Sequence, residues 1–158
     1  MHTATIQQIK QELATLKPAQ LNALCLRLAK FKKENKELLS YLLFEASDEA
    51  AYLQSVKTEL EEQFAAINTS SVYFIKKSLR KIVRIINRYS KYSEETATEI
   101  DLRLYFCEQA KAQGFPTGKN KALDNIYEGQ VKKIKSLIAT LHEDLQYDYT
   151  RRVQALAG

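Results

Sequence analysis

Turn-forming residues are scarce in this sequence. Four Gly and two Pro serve 158 residues, whereas a chain of many short strands needs far more of both between them, so an all-β fold is disfavoured and a helical one expected. Cysteine is nearly absent. Cys25 and Cys107 each sit in an apolar-periodic stretch, which suits buried free thiols in a reducing compartment better than a disulfide framework. Long hydrophobic runs are missing too: the longest uncharged stretch, Gln63 to Ile75, is interrupted by Asn68, Thr69, Ser70 and Ser71 and is too polar to cross a bilayer. The N-terminus has no apolar segment ahead of a small-residue cleavage site. A cytoplasmic protein with no membrane segment is the expectation.

Residues that carry chemistry are equally few. His2 and His142 are the only histidines, and the cysteines lack the close spacing of a Cys-x-x-Cys pair, so no zinc cluster is expected. A carboxylate-bridged di-iron bundle would need Glu three residues before His142, where Ala139 stands. The segment Gly114-Phe115-Pro116-Thr117-Gly118-Lys119-Asn120 superficially looks like a phosphate loop. It is one residue too short, has Asn120 where a hydroxyl would meet magnesium, and follows a helix rather than a strand. A helix end and a turn are expected there. The adjacent acids Glu61 and Glu62, or Glu94 and Glu95, have nothing apolar placed to raise a carboxyl pKa for acid–base work. No cofactor, metal or catalytic residue is therefore assigned, and the expectation is a protein that is not an enzyme.

What the chain does have is apolar residues at three- and four-residue steps almost throughout. Ile6, Ile9, Leu13 and Leu16 mark a helix from about Thr5 to Leu16. Pro18 suits the first turn of a second helix with a Leu21, Leu24, Leu28, Phe31 stripe. After the polar stretch Lys32 to Lys36, Leu38 to Phe44 is apolar nearly all round and is expected to be buried on several sides. Ser47 or Asp48 caps a helix on Leu53, Val56, Leu60, Phe64 and Ile67, and another runs from Ser71 to about Lys91 on Val72, Ile75, Leu79, Ile82, Ile86 and Tyr89. Ser93 or Thr96, the latter with Glu99 in capping-box spacing, opens a helix turning Ala97, Ile100, Leu104 and Cys107 inward and closing at Gly114. From about Asn120 to Ala155 the pattern gives one long helix, or two with a bend near Tyr147. Residues 1–158 thus read as a single all-α domain of six to seven helices, an antiparallel bundle or a short stack of helical hairpins.

Charge is arranged in blocks. The net charge is +4 over residues 1–40, −5 over 41–70, +7 over 71–92, −4 over 93–110, +4 over 111–136 and −1 beyond, giving +5 in all. No acid lies between Glu62 and Glu94. At about 100° per residue, Lys77, Arg80, Lys81, Arg84, Arg88 and Lys91 fall on the side of their helix opposite its apolar stripe. Tyr73 stands on that side one turn before Lys77. The stripe would be about 21 Å long, matching several phosphates in a row with an aromatic ring available to stack on a base. The competing reading pairs these cations with Glu59, Glu62, Glu95, Glu99 or Asp101 on the neighbouring acidic helices.

The segment Leu16-Lys17-Pro18-Ala19-Gln20-Leu21, the Lys77-Ser78-Leu79-Arg80-Lys81 helix and the apolar Leu102 to Cys107 stretch resemble, in that order, a bacterial family of all-helical domains of unknown function. The resemblance spans most of the chain, implies the helical architecture, and brings no activity, cofactor or catalytic residue with it. The functional expectation is a non-enzymatic helical module that binds another protein, with self-association into a homo-oligomer through a leftover apolar face as a separate possibility. The alternative is a nucleic-acid-binding accessory protein using the basic helix 76–91.

Overall fold

The computed structural model describes residues 1–158 and consists of helices with no strands. There are eight α-helices and one π-helical turn, more than the six to seven that the periodicity predicts. By the density of its internal packing the chain forms two compact units, Met1–Phe44 and Glu45–Gly158.

The first unit holds α1 (Ile6–Leu13), α2 (Pro18–Phe31) and α3 (Lys33–Ser40), and the π-helical turn Tyr41–Glu45 follows α3. Thr5 opens α1 with a capping box: its hydroxyl accepts from the Gln8 N–H at 3.2 Å while the Gln8 amide oxygen accepts from the Thr5 N–H at 2.9 Å. Pro18 occupies the first turn of α2. A single extended residue, Lys32, separates α2 from α3, and the Asn35 amide reaches back to the Leu28 carbonyl at 2.8 Å. The chain doubles back there, so Cys25 shares a cleft with Leu42, and Leu28 with Leu38. Part of the higher helix count arises here, because the polar stretch Lys32 to Lys36 is a one-residue turn plus the start of α3 instead of a connector.

Two expectations fail in this unit. Leu42, Leu43 and Phe44 are exposed and only Tyr41 of the Leu38 to Phe44 segment is buried; Cys25 is exposed as well. None of α1, α2 or α3 has a buried residue. Amphipathic spacing tells which side of a helix is greasy, but burying that side takes a partner surface, and a unit this short supplies little of its own.

The second unit contains α4 (Glu49–Ala65), α5 (Val72–Ser93), α6 (Thr96–Ala112), α7 (Lys121–Ile138) and α8 (Glu143–Ala157). Helix α6 packs against each of the other four. It buries Thr98, Ile100, Leu102, Arg103, Leu104, Phe106, Cys107 and Ala110, which span about two thirds of its circumference at about 100° per residue, so the inward face is wider than the one expected for it. Around it α4 contributes Tyr52, Val56, Leu60 and Phe64, and α5 contributes Ile75, Leu79, Ile82, Ile85 and Ile86. The rings of Phe64 and Phe106 meet at 5.6 Å between centroids. Asp48 caps α4 by accepting from the Ala51 N–H at 3.0 Å, and Ser71 caps α5 by accepting from the Phe74 N–H at 3.4 Å.

Two boundaries differ from expectation. Helix α6 starts at Thr96 after Glu95 with no side-chain cap, and the proposed Thr96–Glu99 box is not made, because Glu99 turns toward Arg103 instead. The last stretch is two helices, but they part at Ala139 to His142 rather than near Tyr147. The His142 ring accepts from the Asp144 N–H at 3.4 Å and starts α8 there. The Gly114 to Asn120 segment is a turn: Gly114 and Gly118 take left-handed conformations, and the Thr117 and Gly118 N–H groups donate to the Asp124 carboxylate. Those amides are already satisfied by an acid of the same chain, so they do not form an open cradle for phosphate. No helix is long and apolar enough to cross a membrane.

Candidate functional site

Three surfaces or clusters stand out. The first is the basic face of α5. One unbroken helix carries all of it, and its apolar side is sealed by Ile75, Leu79, Ile82 and Ile86 against the core. Tyr73, Lys77, Arg80, Lys81, Arg84 and Lys91 are exposed, while Arg88 is half-buried with its guanidinium over the Tyr89 ring at 5.1 Å. Lys77, Arg80, Lys81, Arg84 and Lys91 make no ion pair.

The acids proposed to neutralise them are mostly occupied elsewhere. Glu59 accepts from the Tyr89 hydroxyl at 2.7 Å. Glu99 pairs with Arg103 at 2.6 Å, and Asp101 with Arg152 at 2.5 Å and with the Tyr149 hydroxyl at 3.0 Å. Lys91 shares a cleft with Glu99, but the Glu99 carboxylate is turned to Arg103. At the start of the stripe Tyr73 stacks edge-on against Phe74 at 5.4 Å, and both rings are exposed.

The second is a buried polar knot around Arg103, only 5% exposed. Its Nε and one terminal nitrogen donate to Glu99, that same nitrogen donates to Asn87 at 2.7 Å, and the other donates to Gln130 at 2.5 Å. Arg103 thereby ties α5, α6 and α7 together. A guanidinium has five donors in a fixed fork, which is why Arg rather than Lys serves such a junction. Flanked by Leu102 and Leu104, Arg103 was not singled out from sequence, and its only signal there is the i,i+4 spacing to Glu99.

The third is the exposed apolar surface of residues 1–44. Ile6, Phe31 and Phe44 are 80%, 83% and 76% exposed, and Leu26, Leu28, Leu42 and Leu43 are each more than half exposed. Ile6, Leu28 and Phe31 stand on the apolar stripes read from the sequence, and Leu42, Leu43 and Phe44 in the segment expected to be buried; Leu26 lies outside both. The hairpin of α2 and α3 carries two clefts. One is apolar and lined by Cys25, Leu28, Leu38 and Leu42. The other, about 550 Å³ in volume, combines Leu26, Leu39, Leu43 and Phe44 with Lys30, Lys32, Lys33 and Lys36.

Burial first, with the Glu108 charge adding to it, pushes the Cys107 thiol up to about 12, so it stays protonated and is a poor nucleophile. His142 is an exposed cap with Asp144 beside it.

No protein-family model, curated protein or solved structure matches this chain.

Proposed function

We propose that this chain is a non-enzymatic interaction module that docks another protein through the exposed apolar side chains of residues 1–44. One observation carries the reading: three consecutive helices with no buried residue between them turn eight large apolar side chains to solvent, and Leu42, Leu43 and Phe44 of the following turn add three more. Scattered single exposed hydrophobics are ordinary, but contiguous apolar surface on a short unit marks a place where another surface belongs. A second protein would complete for these helices the burial that α6 provides in the other unit.

A second reading, nucleic-acid binding by α5, is favoured by the exposed Lys77, Arg80, Lys81, Arg84 and Lys91 with Tyr73 at one end. Phosphate contacts of this kind would make affinity fall steeply with salt. Lys77, Arg80 and Arg84 changed together to Glu would remove it, and these three are preferable to Arg88, whose guanidinium is already stacked on Tyr89.

One experiment separates the two. A photo-crosslinking amino acid is placed at position 44 or at position 84 of the full chain in its native cell extract. The module reading expects discrete protein adducts from position 44. Nuclease-sensitive adducts from position 84, with nothing from position 44, would replace it by the second reading.

A further inference from the structure

We infer that the lysine-rimmed groove between α2 and α3 receives an acidic amphipathic helix of the partner protein. This rests on the reading of residues 1–44 as a docking module and adds the chemistry of the partner.

The groove has two parts with different demands. Leu26, Leu39, Leu43 and Phe44 give it an apolar floor, and Lys30, Lys32, Lys33 and Lys36 stand along it with no acidic residue in the lining. The unit as a whole has seven basic residues against three acidic ones. Of the four rim lysines only Lys33 has an ion pair, to Glu37 at 3.5 Å, and it is so exposed that water outcompetes most of that attraction.

An occupant that covered the floor with apolar groups alone would strip water from ammonium groups and leave them unpaired, at a cost of several kcal/mol for each one fully buried. An occupant bearing carboxylates beside its apolar ridge avoids that cost. Nucleic acid supplies the charge but no aliphatic ridge for the floor. A flat bilayer supplies both but does not enter a concave groove between two helices. An α-helix, about 10 Å across, with leucines at three- and four-residue steps and glutamates flanking them, meets both demands, follows the concave shape and sits as the third helix against the α2–α3 hairpin.

The test uses the full chain and a fluorescent peptide of about 18 residues, with Leu at helical spacing and Glu on its flanks, next to a copy with Lys in place of every Glu. Anisotropy at about 50 mM salt should give the acidic peptide an affinity at least about tenfold above its basic copy, and about 500 mM salt should remove most of the difference. Changing Lys30, Lys32, Lys33 and Lys36 together to Glu should weaken the acidic peptide by about tenfold or more. So should Leu43→Ser with Phe44→Ser, which are exposed and whose exchange leaves the cores intact. Reversing Lys132 and Lys133 on α7 should change nothing.

Equal binding of both peptides, or none, overturns the inference. So does binding to phosphatidylglycerol vesicles that the acidic peptide fails to displace, or sedimentation showing that a second copy of the chain occupies the groove. If position 44 still crosslinks to a protein in those cases, the docking module stands and only the acidic partner is wrong. Without such adducts both fall.

Discussion

Cys25 and Cys107 look alike in the sequence, each set among leucines or aromatic residues, yet the fold separates them completely. Cys25 lies exposed on α2 and Cys107 is fully buried at the centre of α6. A thiol reagent at pH 8 should therefore modify one thiol of the native chain and two in denaturant, and rapid modification of both in the native chain would contradict the packing of α6. The raised Cys107 thiol also bears on stability. Its ordinary value is 9, it is held up to about 12 in the fold, and the Tyr149 hydroxyl is likewise pushed from 10 to about 12 by burial and by Asp101. Because the unfolded chain gives up these protons first, stability is full below about pH 9 and falls as pH rises toward 12. The urea midpoint should drop between pH 8 and pH 11, and less so in Cys107→Ala. Arg103 is the other decisive single residue: Arg103→Ala leaves Glu99, Asn87 and Gln130 without their shared donor and should cost about 3 kcal/mol. A loss below about 1 kcal/mol, the range of an exposed pair, would show that the knot is dispensable.

Helices α5 and α6 differ in kind. In α5 one side is isoleucine and leucine against the core and the other is lysine and arginine in water, so substitutions should sort by side. Leu79→Ala, at 1% exposure, should cost about 3 kcal/mol through lost burial and the cavity left behind. Lys77→Ala should stay within about 0.5 kcal/mol. Denaturation curves for the pair check it, and equal costs would mean that the helix is not two-faced as described. Helix α6, with four others packed against it, is buried over most of its circumference and leaves only the side of Glu108 and Ala112 in water. That difference also explains which features the sequence displayed. The α5 stripe is visible as a three-four rhythm, whereas in α6 buried positions span most of the turn and include Thr98 and Arg103, so the rhythm is blurred and Leu102 and Phe106 went unassigned among inward residues. Local pattern also pointed wrongly at Leu38 to Phe44: being apolar all round does not by itself produce burial.

The two compact units carry unequal cores. Residues 45–158 contain nearly every buried side chain, and residues 1–44 contain Tyr41 alone. With so little burial to oppose the conformational entropy of the chain, α1 to α3 should open far more often than α6. Hydrogen exchange of the intact protein should show amides of residues 6–40 exchanging orders of magnitude faster than those of residues 100–110. Added acidic peptide should slow exchange in α2 and α3 and leave α6 unchanged. Uniform protection along the chain would remove the ground for treating residues 1–44 as a surface awaiting a partner.

Several features needed no coordinates, because they follow from what neighbours three or four positions apart can do along one helix. The scarcity of Gly and Pro, helix starts near Thr5 and Ser71, a cap at Ser47 or Asp48, Pro18 in a first turn and the two faces of α5 are all of this local kind. Whether a greasy face finds another face depends on contacts between residues far apart in the chain, and no local spacing encodes these. Tertiary packing alone therefore decided that α6 is central, that Glu59, Glu99 and Asp101 are spent on Tyr89, Arg103 and Arg152, and that the apolar side chains of residues 1–44 remain in water.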